Sequence, residues 1–185
     1  ASKVTFLEGY LFDRDEAMAE RTATDIANDL GADTPPVAVY PLDLTDVEAT
    51  NAAVTAVEAE LGPTAVLVNN VGWNGRAQFF LDLPPERWEQ AFRLNLFPTL
   101  SATKAVLPHL VERRAGAIVS ISSDAGFGEF RMGDYGPMKA GVMAFMRTIA
   151  KEYGRYGIQT NNICPGLVIP EPDAIGEESL WQQDI

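Results

Sequence analysis

The sequence predicts an α/β fold: a doubly wound parallel sheet with helices on both faces, three layers (α/β/α) deep. Two observations carry this. Short apolar runs of strand length at 37–42, 65–68 and 117–121, and a further strand at 158–164, alternate with helical patterns at 16–30, 47–61, 85–114 and 135–153, and strand and helix alternating at that spacing build βαβ units. The polar and glycine-rich clusters also follow the strands: Asp43-Leu44-Thr45, Asn69-Asn70-Val71-Gly72, Ser122-Ser123-Asp124 and Pro165-Gly166. Sheets of this kind hold their ligands at that end.

The elements justify themselves in turn. The runs at 37–42, 65–68 and 117–121 are almost wholly apolar and bounded by Gly, Pro, Asp or Asn, the composition of strands buried on both faces. The first two helical patterns stop at Gly31 and Gly62. Asp46 is placed to cap the second, and Pro84-Pro85-Glu86 suits the first turn of the third. No internal repeat, low-complexity tract or interdomain linker interrupts the pattern, so one domain is expected.

With 185 residues, 46% hydrophobic and 22% charged, the composition is that of a globular protein with a sizeable core. No segment approaches the ~18 uninterrupted apolar residues of a membrane span, and Ala1-Ser2-Lys3-Val4 lacks signal-peptide architecture; a cytoplasmic protein with no membrane partner is expected. A net charge of −12, from 14 basic and 26 acidic residues, argues against nucleic acid as a partner. One cysteine, Cys164, makes no intrachain disulfide, and one histidine builds no His-rich metal site; no metal is expected. A Ser-His-Asp hydrolase would have to use His109, which sits in an apolar helical stretch.

Tyr135-Gly136-Pro137-Met138-Lys139 sets a phenol and an ammonium four positions apart, on one helix face in adjacent turns. Pro137 fits the first turn of a helix, which puts Tyr135 at its mouth. A lysine charge near a phenol favours phenolate and draws its pKa down, toward a range useful in acid/base catalysis. Such pairs also occur on solvated helix faces, and the company this one keeps is what distinguishes it. Asn69-Asn70-Val71-Gly72 and Ser122-Ser123 end strands, and Asn95 lies mid-helix between them.

In these motifs the chain resembles the classical branch of the short-chain dehydrogenase/reductase family, over Tyr10 to about Val168. Asn69-Asn70-Val71-Gly72 is similar to the family's Asn-Asn-Ala-Gly element, Asn95 to its helix asparagine, and Pro165-Gly166 to its proline-glycine step beside the nicotinamide. The resemblance implies a Rossmann-like domain and an NAD(P)-dependent oxidoreductase that interconverts a secondary alcohol and a ketone. Tyr135 would move the proton on the substrate oxygen, Lys139 would lower the tyrosine pKa and bind the nicotinamide ribose, Ser123 would hydrogen-bond the substrate oxygen, and Asn95 would hold a relay water. Asn70, Val71, Gly72, Pro165, Gly166 and Val168 would line the cofactor.

At the adenosine end the resemblance puts Asp13 on the ribose hydroxyls, with Asp43 and Leu44 along the adenine. A carboxylate at Asp13 accepts both hydroxyls and repels a 2′-phosphate, favouring NAD over NADP. Asp13 as a helix cap is an equally available use of that residue, and Arg14 can pair with the phosphate of NADP.

The sequence departs from the family at several points. The strand, glycine-rich phosphate loop and helix that should open the domain are missing between Gly9 and Tyr10, and residues 171–185 stop short of a final helix and edge strand. More residues are expected in the natural polypeptide at both places; without them a central strand is absent. Ser123 stands one residue closer to Tyr135 than usual and Ser122 stands at the usual spacing; Ser123 is preferred because strand alignment puts the catalytic serine last, with the loop at Phe127-Gly128 shortened. Pro170 replaces a threonine that binds the nicotinamide amide.

By position, Trp73, Asn74, Phe127, Glu129, Phe130, Arg131 and Met132 would line a substrate pocket, with Arg131 meeting a phosphate or carboxylate of a hydroxyacyl-CoA ester. Ala140, Val142, Met143, Phe145, Met146 and Ile149 offer apolar surface for a homo-oligomer, a dimer or tetramer, as well as core packing. Two rivals stay open: a non-catalytic Rossmann-like module for oligomerisation or binding, and an epimerase or dehydratase of the extended branch. The four retained catalytic positions speak against the first, and the Asn69 to Gly72 element against the second.

Overall fold

The computed structural model describes residues 9–31 and 37–168, so Pro170 and residues 171–185 lie outside the described residues. The chain divides into two compact units, Ala1–Pro63 and Thr64–Ile185.

The first unit runs β1 (Gly9–Asp13), α1 (Glu16–Leu30), β2 (Val37–Pro41) and α2 (Val47–Leu61). β1 and β2 pair in parallel, Tyr10 opposite Ala38 and Phe12 opposite Tyr40, as a βαβ unit requires. Both helices start on aspartate caps. The Asp15 carboxylate accepts from the Met18 N–H at 3.0 Å and that of Asp46 from the Ala49 N–H at 2.9 Å, satisfying N–H groups that have no partner within the helix. The cap of α1 is therefore Asp15, and Asp13 is left at the strand end.

In the second unit β3 (Val66–Asn69), α3 (Pro85–Ala91), α4 (Phe97–Arg113), β4 (Gly116–Ile121), α5 (Tyr135–Tyr153) and β5 (Ile158–Ile163) follow in order. The sheet order is β3-β4-β5, all parallel. Leu110 and Val106 of α4, Ile118 of β4, and Val142 and Met146 of α5 have 1% or less of their surface exposed. Each buried side chain of this size contributes about 1.5–3 kcal/mol. Val142, Met143, Met146 and Ile149 are thus core residues, and the apolar surface expected of them for assembly is spent inside the unit.

Two expectations need correcting. The single helix expected over 85–114 carries a π turn at Phe92–Leu96 between α3 and α4, with the Phe97 N–H bonded to the Phe92 carbonyl five residues back. Pro98, next in the chain, has no N–H to continue an α pattern. The strands are also not uniformly buried: Ile118 and Ser120 of the central strand β4 are fully covered, whereas Val66 and Val68 of β3, on the other face of the sheet in register with Ala117 and Val119, are 51% and 57% exposed. Among the described residues the strands form two parallel sheets, β1-β2 and β3-β4-β5, in keeping with the expected α/β class.

Candidate active site

The site in the second unit is built on the start of α5. Asp134 caps that helix, its carboxylate accepting from the Tyr135 N–H at 2.9 Å, so Tyr135 stands in the first turn and Lys139 one turn on. Gly136 lets the helix come in close: a Cβ there would lie 2.7 Å from the Ala125 carbonyl oxygen. Lys139 is buried, 3% exposed, and donates from Nζ to the Ile121 carbonyl at 3.0 Å. That uses one of its three donors. Its ammonium lies 5.6 Å from the centre of the Tyr135 ring.

The two serines are told apart by their bonds. Ser122 is buried and donates to the Lys139 carbonyl at 2.7 Å, so it ties β4 to α5. Ser123 lines the site together with Tyr135, and its hydroxyl approaches Asp124 at 3.2 Å.

Tyr135 sits above its ordinary pKa. Burial is the largest cause and the nearby Asp124 carboxylate adds to it, while the Ser123 hydrogen bond pulls the other way. The downward shift expected from lysine is therefore reversed in sign, since burial outweighs the hydrogen bond that opposes it. Lys139 is itself held below the usual lysine value by burial.

Asn95, fully buried, lies in the π turn. Its Oδ1 accepts from the Trp73 N–H at 2.8 Å and its Nδ2 donates to the Ala91 carbonyl at 2.9 Å. The side chain thus anchors the loop after β3. Gly72 packs beside it: a Cβ there would come within 3.0 Å of Lys139 Nζ and 3.3 Å of Asn95 Oδ1. Below, Asn69 donates to Thr103 Oγ1 at 3.1 Å and Ser120 Oγ at 3.2 Å, all three buried.

A cavity of about 290 Å³ gathers Asn70, Gly72, Ser123, Tyr135, Lys139, Pro165, Gly166 and Val168 on its wall, together with Trp73, Asn74, Ile121 and Ser122. Val71 and Asn95 are not on it. Of the residues expected to line a substrate pocket, Trp73 and Asn74 do so; Arg131 instead lies over the rings of Phe79 and Phe130, at 4.4 and 5.2 Å, and Phe127 and Phe130 are exposed. Sequence reasoning also overlooked Arg87, Asp124 and Asp134. An acidic residue directly before a helix start is a capping signal, and that signal was there to find Asp134.

In the first unit Asp13 Oδ1 accepts from the Asp15 N–H at 2.9 Å, and Asp43 Oδ1 accepts from the Thr45 N–H at 2.8 Å. Both shape the turns at the carboxyl ends of their strands, and Leu44 is partly buried beside Asp43. Among the described residues no group of His, Cys, Asp and Glu is placed to hold a metal ion, and no helix is long and apolar enough to cross a membrane.

Known proteins with these features are numerous. The chain is 34% identical over 157 residues to an acetoacetyl-CoA reductase of Synechocystis sp., covering 84% of this chain and 64% of that protein. It is 39% identical over 162 residues to the inactive 2-(S)-hydroxypropyl-CoM dehydrogenase 2 of Xanthobacter autotrophicus, covering 85% and 66%. Among solved structures, NAD+-bound xylitol dehydrogenase superposes with a TM-score of 0.82 at 26% identity, over 88% of this chain and 61% of that one. The chain spans less than two thirds of the length of each. The family model for short chain dehydrogenases matches residues 8–174, and the chain belongs to the short-chain dehydrogenase/reductase family.

Proposed function

We propose that the protein is an NAD(P)-dependent oxidoreductase interconverting a secondary alcohol and a ketone, with a hydroxyacyl-CoA or similar ester as substrate. The observation that carries this is the convergence of Tyr135, Ser123 and Lys139 on one cavity. The names of two relatives, a reductase of acetoacetyl-CoA and a dehydrogenase of xylitol, belong to the same ketone and alcohol chemistry.

In reduction the Tyr135 hydroxyl gives its proton to the substrate oxygen as negative charge gathers there, and Ser123 donates a hydrogen bond to that oxygen; oxidation reverses both. A phenol, whose ordinary pKa is about 10, is protonated at neutral pH, the form a proton donor needs, and burial only reinforces this at Tyr135. The nicotinamide, when bound, supplies or accepts the hydride. The wall fits it: two donors of Lys139 are available for ribose hydroxyls, and the amide of Asn70 and the backbone of Gly72, Pro165 and Gly166 offer a polar, unhindered face. Val71 and Val168 would flank it. Asp13 would take the adenosine ribose, with Asp43 and Leu44 at the adenine. NAD is favoured over NADP for the charge at Asp13.

The chain is proposed to be one domain lacking the first βα unit, acting in the cytoplasm as a homo-oligomer, a dimer or tetramer. The test is turnover of secondary alcohols and 3-hydroxyacyl-CoAs with NAD, followed by nicotinamide absorbance. Tyr135→Phe should lower kcat about 10³-fold and leave NADH binding largely intact. Substantial activity in that variant would refute the acid/base assignment, and turnover of simple alcohols alone would refute the ester substrate.

A further inference from the structure

Behind the cavity wall lies a buried ion pair that the chemistry above does not use. Arg87 of α3 donates to Asp134 Oδ2 from both Nη2, at 2.6 Å, and Nε, at 3.1 Å. The two side chains are 17% and 4% exposed. The other oxygen of Asp134 caps α5 through the Tyr135 N–H.

The guanidinium also reaches the second wall of the site. It lies 5.0 Å from the centre of the Trp73 ring and bonds the Arg76 carbonyl at 3.5 Å. Trp73 lines the cavity and is tied through its N–H to Asn95. Gly75 shows how closely this is built, since a Cβ there would run into Arg87 and Trp73. One guanidinium therefore touches the loop after β3 and, through one carboxylate, the residue that carries the phenol.

We propose that Arg87 and Asp134 are positioning residues for the reaction, a buried clamp that holds the Tyr135 end of α5 and the Trp73 loop in register with each other. The inference rests on the function proposed for Tyr135. A planar fork in two bonds fixes orientation as well as distance, and proton transfer is sensitive to misplacement on the scale of 1 Å.

Arg87→Met alone strands a buried carboxylate and is expected to unfold the protein in part. The informative variant is Arg87→Met with Asp134→Asn, which removes both charges and keeps an amide oxygen for the Tyr135 N–H. It should melt within a few degrees of the parent, with kcat down about tenfold or more and KM within about twofold. Arg87→Lys, which keeps the charge and loses the fork, should recover part of the loss. A folded double variant with the parent's kcat would overturn the clamp and leave the acid/base assignment standing.

If the parent turns over no substrate, the assignment of Tyr135 fails and the clamp is judged without activity. The carbon-13 signal of the Tyr135 ring, labelled at Cζ and assigned with Tyr135→Phe, should shift in the double variant and less in Arg87→Lys. An unmoved signal overturns the clamp.

Discussion

In the first unit the aspartates stand at the surface and bond backbone two or three residues away: Asp13 to Asp15, Asp15 to Met18, Asp43 to Thr45, Asp46 to Ala49. In the second, Asn69, Asn95, Ser122, Asp134 and Lys139 are buried, and their bonds mostly reach across the unit, from Asn69 to Ser120, from Arg87 to Asp134, from Ser122 and Lys139 between β4 and α5. Exposed turn bonds exchange freely with water and contribute about 1 kcal/mol each. Buried polar groups are costly unless every partner is in place, so the second unit specifies its arrangement much more narrowly. The proton chemistry is proposed there, and the adenosine contacts are proposed on the turns of the first.

The strongest way to sharpen that contrast is to disturb charge around Tyr135 in both directions. Ser123→Ala should lower kcat about 10²-fold or more. It also removes the hydrogen bond that pulls Tyr135 down, so the alkaline limb of the reduction profile should move to higher pH. Asp124→Asn removes a carboxylate that pushes Tyr135 up, and its limb should move to lower pH. Limbs moving together, in a kcat against pH series, would mean another group is being titrated.

A smaller effect is expected at Asp13. Asp13→Asn keeps the acceptor for the Asp15 N–H and removes the charge, so the preference for NAD over NADP should narrow about tenfold while the pH limb stays in place. Equal discrimination before and after, measured as the ratio of kcat/KM with the two cofactors, would take the ribose role away from Asp13. Smallest of all are the helix caps. Asp15→Ala and Asp46→Ala should each cost about 1 kcal/mol in urea unfolding with kcat within about twofold. A tenfold fall in kcat would show that the exposed turns constrain the chemistry as tightly as the buried network does.

The same contrast governs what was legible beforehand. Asp46 as a cap, Gly31 and Gly62 as helix stops, and Tyr135 at a helix mouth follow from neighbours within four positions, and the structure has them where expected. The order of strands and helices was legible for the same reason. The π turn at Phe92–Leu96, the clamp of Arg87 on Asp134 and the turning of Arg131 onto Phe79 and Phe130 were not, because they join residues whose separation along the chain carries no periodic signal.

By itself, then, the sequence determined the α/β class, the succession of elements, and the residue types able to move a proton: Tyr135, Lys139 and a serine after β4. Only the tertiary structure decided which serine faces the phenol, that Asn95 bonds the Trp73 backbone, and that Tyr135 titrates above its ordinary value. The physical reason is range. Helix, strand and cap are local equilibria written in adjacent residues, whereas desolvation and a hydrogen-bond partner are set by whatever the fold brings alongside.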